Sequence, residues 1–151
     1  MNHSIVKHAV GRPCLLVLVV LACTAAFASM TLKIEQPWIR LLPGDMPMAG
    51  SFELVNLDAA PAFLVGAESP GFGEVMLQRS TIVNNTTHVE QVTSVEVPGG
   101  ASVLFEPGSY HLTLMKRRAA LHPGDHVPIT LRFKDGRRLT ADFEVRPPGG
   151  D

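Results

Sequence analysis

After Met30 no stretch of this sequence sustains the period near 3.6 that an amphipathic helix needs; short runs alternating apolar and polar residues follow one another instead. Turn residues separate them. "LLPGD", "NLDAAP", "SPGFG", "VPGG", "EPGS", "HPGD" and "KDGR" each set Gly, Pro, Asn or Asp between apolar runs. The spacing predicts strands over Thr31–Glu35, Trp38–Leu42, Ala49–Asn56, Ala62–Ala67, Val75–Ser80, His88–Thr93, Ser102–Glu106, Tyr110–Met115, Val127–Phe133 and Leu139–Val145. That is an all-β domain.

Alternation also says how the strands pack. In "LTADFEV" Leu139, Ala141, Phe143 and Val145 share one side while Thr140, Asp142 and Glu144 share the other, and "SVLFEP" places Val103 and Phe105 together. Two sheets closing on such dry faces make a sandwich. In "RFKDGRRL" the Asp135-Gly136 pair tolerates positive φ, so the last two strands are predicted to form a tight antiparallel hairpin. Only the stretch "RRAAL", from Arg117, is expected to make a helical turn, and "RPPGGD" at the end is expected to fray.

The first thirty residues read differently. Lys7 and Arg12 precede an apolar run from Cys14 to Cys23, and Ala26-Phe27-Ala28 then supplies a small-x-small cleavage pattern. Residues 1–28 are therefore expected to be a secretory signal peptide and 29–151 the mature domain. The run is roughly ten residues, against the roughly 20 that span a bilayer as a helix. A lipoprotein site at Cys23 is the second reading: "VLAC" puts Ala22 before the cysteine, although Leu21 is bulkier than a lipobox favours.

Both cysteines lie in this leader, so a chain starting near Ser29 has neither disulfides nor thiolate ligands. It retains all 14 acidic residues but, losing Lys7 and Arg12 from the 13 basic ones, only 11 of those. A weakly negative exported domain is not expected to bind nucleic acid. Nor is it expected to be an enzyme, because it shows no nucleophile elbow, glycine-rich phosphate loop or His-Glu-x-x-His. The sequons at "NNTT" read as turn residues.

What remains for chemistry is His88, His111, His122 and His126, with Met30, Met46, Met48, Met76 and Met115. Imidazole and thioether together suit Cu(I) far better than a hard ion. In "YHLTLM" alternation puts His111, Thr113 and Met115 on one face, but four residues of strand separate the Cα atoms of His111 and Met115 by roughly 13 Å. Read locally, His111 is an exposed or half-buried strand residue. His122 and His126 flank a turn, Met46 and Met48 belong to a loop, and Met76, between Val75 and Leu77, belongs to ordinary packing.

Taken in order, "PWIR", "AGSFELVN", "LVGAESP", "PGGASVLFEPGSYHLTLM", "LHPGDHVPITLRF" and a closing strand resemble the PCu(A)C family of small periplasmic copper chaperones across nearly all of the mature chain. The resemblance implies a cupredoxin-like Greek-key β-sandwich acting as a monomer. It also implies one Cu(I) held by two histidines and two methionines, and delivery to a copper-accepting periplasmic or membrane-anchored protein such as a cytochrome c oxidase subunit.

Carried over position by position, the ligand set is altered. His111 matches the histidine of the family's H-x-M, but Thr113 stands where its methionine would be. Gln78 takes the place of the first histidine, and Val89 that of the other methionine. The resemblance thus implies a weakened or rearranged site around His111, with Met115 and His88 as the remaining candidate ligands. His88 reaches that face only if a bulge in "NNTTH" resets the alternation. The alternative is a metal-free sandwich that binds a protein partner through the same end.

Overall fold

The computed structural model describes residues 31–149; the leader, with both readings of its processing, lies outside them. Ten strands run as β1 (Leu32–Arg40), β2 (Met48–Asn56), β3 (Ala62–Glu68), β4 (Phe72–Val83), β5 (Thr86–Gln91), β6 (Val95–Val97), β7 (Ser102–Phe105), β8 (Tyr110–Arg117), β9 (His126–Phe133) and β10 (Arg138–Arg146). Among the described residues there is no helix, so the turn expected from Arg117 is not formed. Arg117 instead ends β8, where its guanidinium donates to the Gly44 carbonyl at 2.8 Å.

The two strands expected on either side of Pro37 are one strand, β1. Gln36 takes a φ of 48°, and the register with β2 shifts between Glu35 and Trp38. A bulge of this kind lets a strand pass a residue that has no N–H to give to the ladder. β6 was not expected, since "VEV" is too short to show a period.

Hydrogen bonding links the strands in the order β5-β4-β8-β7-β2-β1-β10-β9-β3-β6, with a further pairing of β8 to β2. The ladder folds over so that β3 also lies against β4. β9 and β10 form the expected hairpin, Gly136 having a φ of 89°. There the Arg137 amide, above all, and its guanidinium hold the Asp135 carboxyl below the usual carboxylate range.

Alternating residues fill the space between the folded halves. Phe52 stacks on Phe105 at 4.4 Å and meets Phe143 edge-on at 5.6 Å, with Ile39, Leu54, Leu64, Leu112, Leu114, Ile129 and Leu131 around them. Met48, expected in a loop, opens β2 and is buried in this core, while Met46 is exposed. The fully buried Asn56 is saturated: its amide nitrogen donates to the Ala60 and Val97 carbonyls at 2.9 and 3.1 Å, and its oxygen accepts from the Asp58 amide at 3.0 Å. That ties the turn after β2 to β6.

Candidate metal centre

β4 and β8 pair antiparallel without a register break: Glu74↔Met115, Met76↔Thr113, Leu77↔Leu112, Gln78↔His111 and Arg79↔Tyr110. Leu77, Leu112 and Leu114 turn to the core. By the two-residue period of a strand, the outward face of the same ladder carries Glu74, Met76 and Gln78 beside Met115, Thr113 and His111.

His111 is more enclosed than a wet-face histidine, with 8 % of its surface exposed. Its Nδ1 lies 3.1 Å from the Ser109 carbonyl oxygen, which also accepts the Ser80 amide at 2.9 Å. A carbonyl can only accept, so Nδ1 carries the hydrogen, and in the neutral ring the lone pair is then on Nε2. A backbone carbonyl fixing one ring nitrogen so that the other can coordinate is the usual outer support of a metal-bound histidine.

Three of the four family ligand positions come together here. Gln78 is directly across from His111, and the Thr113 hydroxyl donates to the Gln78 side-chain oxygen at 2.6 Å. Val89, on β5, pairs with Ser80 and is exposed. Gln78 and Thr113 offer amide and hydroxyl oxygens, hard donors that satisfy one another. Among the described residues no group of three or more His, Cys, Asp or Glu side chains converges to hold a metal ion, so imidazole and thioether are the donors to weigh.

The register from Gln78↔Gln91 to Val83↔Thr86 is unbroken, so "NNTTH" contains no bulge. His88 therefore pairs with Thr81 and points to the side opposite Val89 and His111, exposed to solvent. Met115 has the same orientation as His111, but with β8 in continuous register the full four-residue separation stands. His122 and Asp125 face each other at 3.5 Å across an exposed turn, away from this ladder.

Sequence reasoning passed over Met76. It lies directly opposite Thr113 and diagonal to both His111 and Met115. Diagonal cross-strand neighbours have Cα atoms about 7–8 Å apart, within reach of long side chains. The alternation of Met76 with the core residue Leu77 signalled the outward side; that His111 would be its neighbour depended on the β4–β8 register.

Comparison with known proteins gives this geometry its setting. The described fold is similar to the copper-bound PCuAC domain from PmoF2 at 25% identity, covering 81% of this chain and 97% of that one with a TM-score of 0.65. The solution structure of CuI-DR1885 from Deinococcus radiodurans matches at 25% identity over 83% of this chain and 85% of that one, TM-score 0.65. The fold is thus the cupredoxin-like β-sandwich of PCuAC domains. A Leifsonia xyli subsp. xyli protein named "Putative lipoprotein Lxx21020" is 26% identical over 119 residues, covering 78% of this chain and 71% of its own length. The family profile described as "Putative lipoprotein LpqE-like" matches residues 32–145, β1 almost to the end of β10, and the chain belongs to this LpqE-like family.

Proposed function

We propose that this chain is an exported, non-enzymatic copper-binding domain of PCuAC type that carries Cu(I) toward cytochrome c oxidase assembly. Its site is rearranged: His111 Nε2 and the Met76 thioether hold the ion, with Met115 one diagonal step further along the ladder. The observation that carries this reading is the Nδ1–Ser109 bond, which presents the Nε2 lone pair on a face bearing two thioethers. Fewer soft donors than the family's four make a weaker and more readily exchanged site, which suits a cargo that must be handed on. His88, on the other face, has no part in it.

Titration of the mature chain with Cu(I) against a competing chelator tests this. One site is expected in the wild type and no measurable binding in His111→Ala. Met76→Leu is expected to weaken binding by more than the roughly tenfold common for outer-shell changes at metal sites. The Gln78–Thr113 hydrogen bond closes two ligand positions on each other, so an absence of binding in the wild type would favour the metal-free, partner-binding reading.

The family description and the relative's name, both of lipoproteins, support Cys23 as a lipid anchor over release after Ala28. The intact mass of the exported chain decides between them: a diacylated species beginning at Cys23 is expected, and a free chain beginning at Ser29 would refute the anchor.

A further inference from the structure

β2 changes partner part-way along. Met48, Ala49 and Gly50 pair with Leu114, Thr113 and Leu112 of β8, whereas Phe52 to Val55 pair with Phe105 to Ser102 of β7. Ser51 falls at this fork, and continuing the first register would set it against His111. Its side chain shares the outward face, opposite Trp38 on β1. Ser51 is only 3 % exposed, and its hydroxyl has no hydrogen-bond partner. An unmade bond to a buried hydroxyl costs about 1–3 kcal/mol, so such a group calls for an explanation.

A cavity of about 240 Å³ opens at the fork, lined by Ser51 and Trp38 together with Gln36, Glu53, Glu106 and Leu104. The Gln36 bulge shapes one wall, and bulges and positive-φ residues concentrate beside binding sites. The two charged side chains that line it, Glu53 and Glu106, are both acidic. Glu35 stands directly opposite Glu53, a destabilising like-charge pair. No Lys or Arg among the described residues pairs with Glu35, Glu53 or Glu106. Arg40 and Arg146 lie over the Trp38 ring, at 5.6 and 5.3 Å from its centroid, and do not line the cavity.

We propose that this cavity binds an alkylammonium group. An ammonium has three N–H donors and no acceptor, and the cavity offers three acceptor groups, the Ser51 hydroxyl and the Glu53 and Glu106 carboxylates, of which Glu53 Oε1 also accepts from the Ser102 hydroxyl at 2.5 Å. Leu104, 52 % exposed at the rim, meets the alkyl stem. The apolar lining beside the two carboxylates suits a cation that carries an alkyl stem. The group belongs either to a free amine or to a lysine of a protein docking beside His111, and this site stands whether or not His111 takes copper.

Trp38 is the chain's single tryptophan, so its fluorescence reports directly on the cavity. Titrating the mature chain with n-butylammonium at constant ionic strength is expected to give a saturable change, and tetramethylammonium, which has no N–H, none. Ser51→Ala, a small-for-small change that keeps the fold, and the double variant Glu53→Gln/Glu106→Gln are each expected to weaken binding about tenfold or more. An Nα-acetyl-lysine peptide amide binding more tightly than butylammonium identifies a partner's lysine as the source; equal or weaker binding identifies a free amine. No saturable response in the wild type, an equal response to tetramethylammonium, or unchanged affinity in both variants would overturn the proposal.

Discussion

Gly99→Ala is expected to destabilise the domain by about 3 kcal/mol or more, the upper range of overpacking. A Cβ at this position would stand 2.1 Å from the Ala59 carbonyl oxygen, 2.5 Å from its carbon and 3.0 Å from the Asp58 oxygen. All three are backbone atoms, so no side chain can swing aside to make room. The turn carrying Gly99 is also anchored, because the Gly100 amide donates to the Asp58 carbonyl at 2.9 Å and the Asn56 amide to the Ala101 carbonyl at 2.8 Å. Moving Gly99 away thus disturbs the segment that Asn56 ties to β6. Gly100→Ala is the control: with a φ of 70° and nothing within 4 Å, it meets only the left-handed penalty of about 1–2 kcal/mol. Urea unfolding of both variants decides, and a Gly99→Ala loss no greater than that of Gly100→Ala would sink the argument.

Phe52→Ala is expected to lose about 3–5 kcal/mol, a large share of the roughly 5–15 kcal/mol that holds a typical domain folded. Phe52 is 1 % exposed and touches Phe105 from β7 and Phe143 from β10, so its ring joins parts of the ladder on either side of β2. The stacked and edge-on contacts add about 0.5–1.5 kcal/mol each beyond burial. Phe52→Leu, which keeps most of the volume, is expected to lose about 1.5 kcal/mol. Leu104→Ala, next along β7 but largely exposed, should change stability little. If thermal unfolding ranks Leu104→Ala with Phe52→Ala, the core is not centred where the aromatic contacts place it.

Period-two alternation and turn chemistry were enough to read most strands and the β9–β10 hairpin from the sequence, because both signals are local. Gln36 shows where local reading stops. Pro37 suggested a break, but pairing with β2 and β10 carries the strand across it as a bulge. The outward orientation of His111, Thr113 and Met115 was likewise legible, whereas the enclosure of His111 was not, since the Ser109 carbonyl reaches it from the preceding turn. Met76 and His88 depended on register. An unbroken β4–β5 ladder sends His88 to the far side, and the β4–β8 ladder makes Met76 a diagonal neighbour of His111. The first is a local hairpin that alternation already pointed to unless a bulge intervened; the second is a pairing between segments distant in sequence, which a single chain's pattern does not encode.

The fork at Ser51 separates the position of a binding site from its specificity. The opening exists because β2 leaves β8 for β7, a matter of backbone routing that most side-chain substitutions leave intact. The groups around it, Glu53 and Glu106 foremost, sit at the rim and can be exchanged without rebuilding the core. A lineage that keeps this strand order therefore inherits a cavity at the fork and can retune its ligand, from cation to neutral group to anion, by a few surface changes.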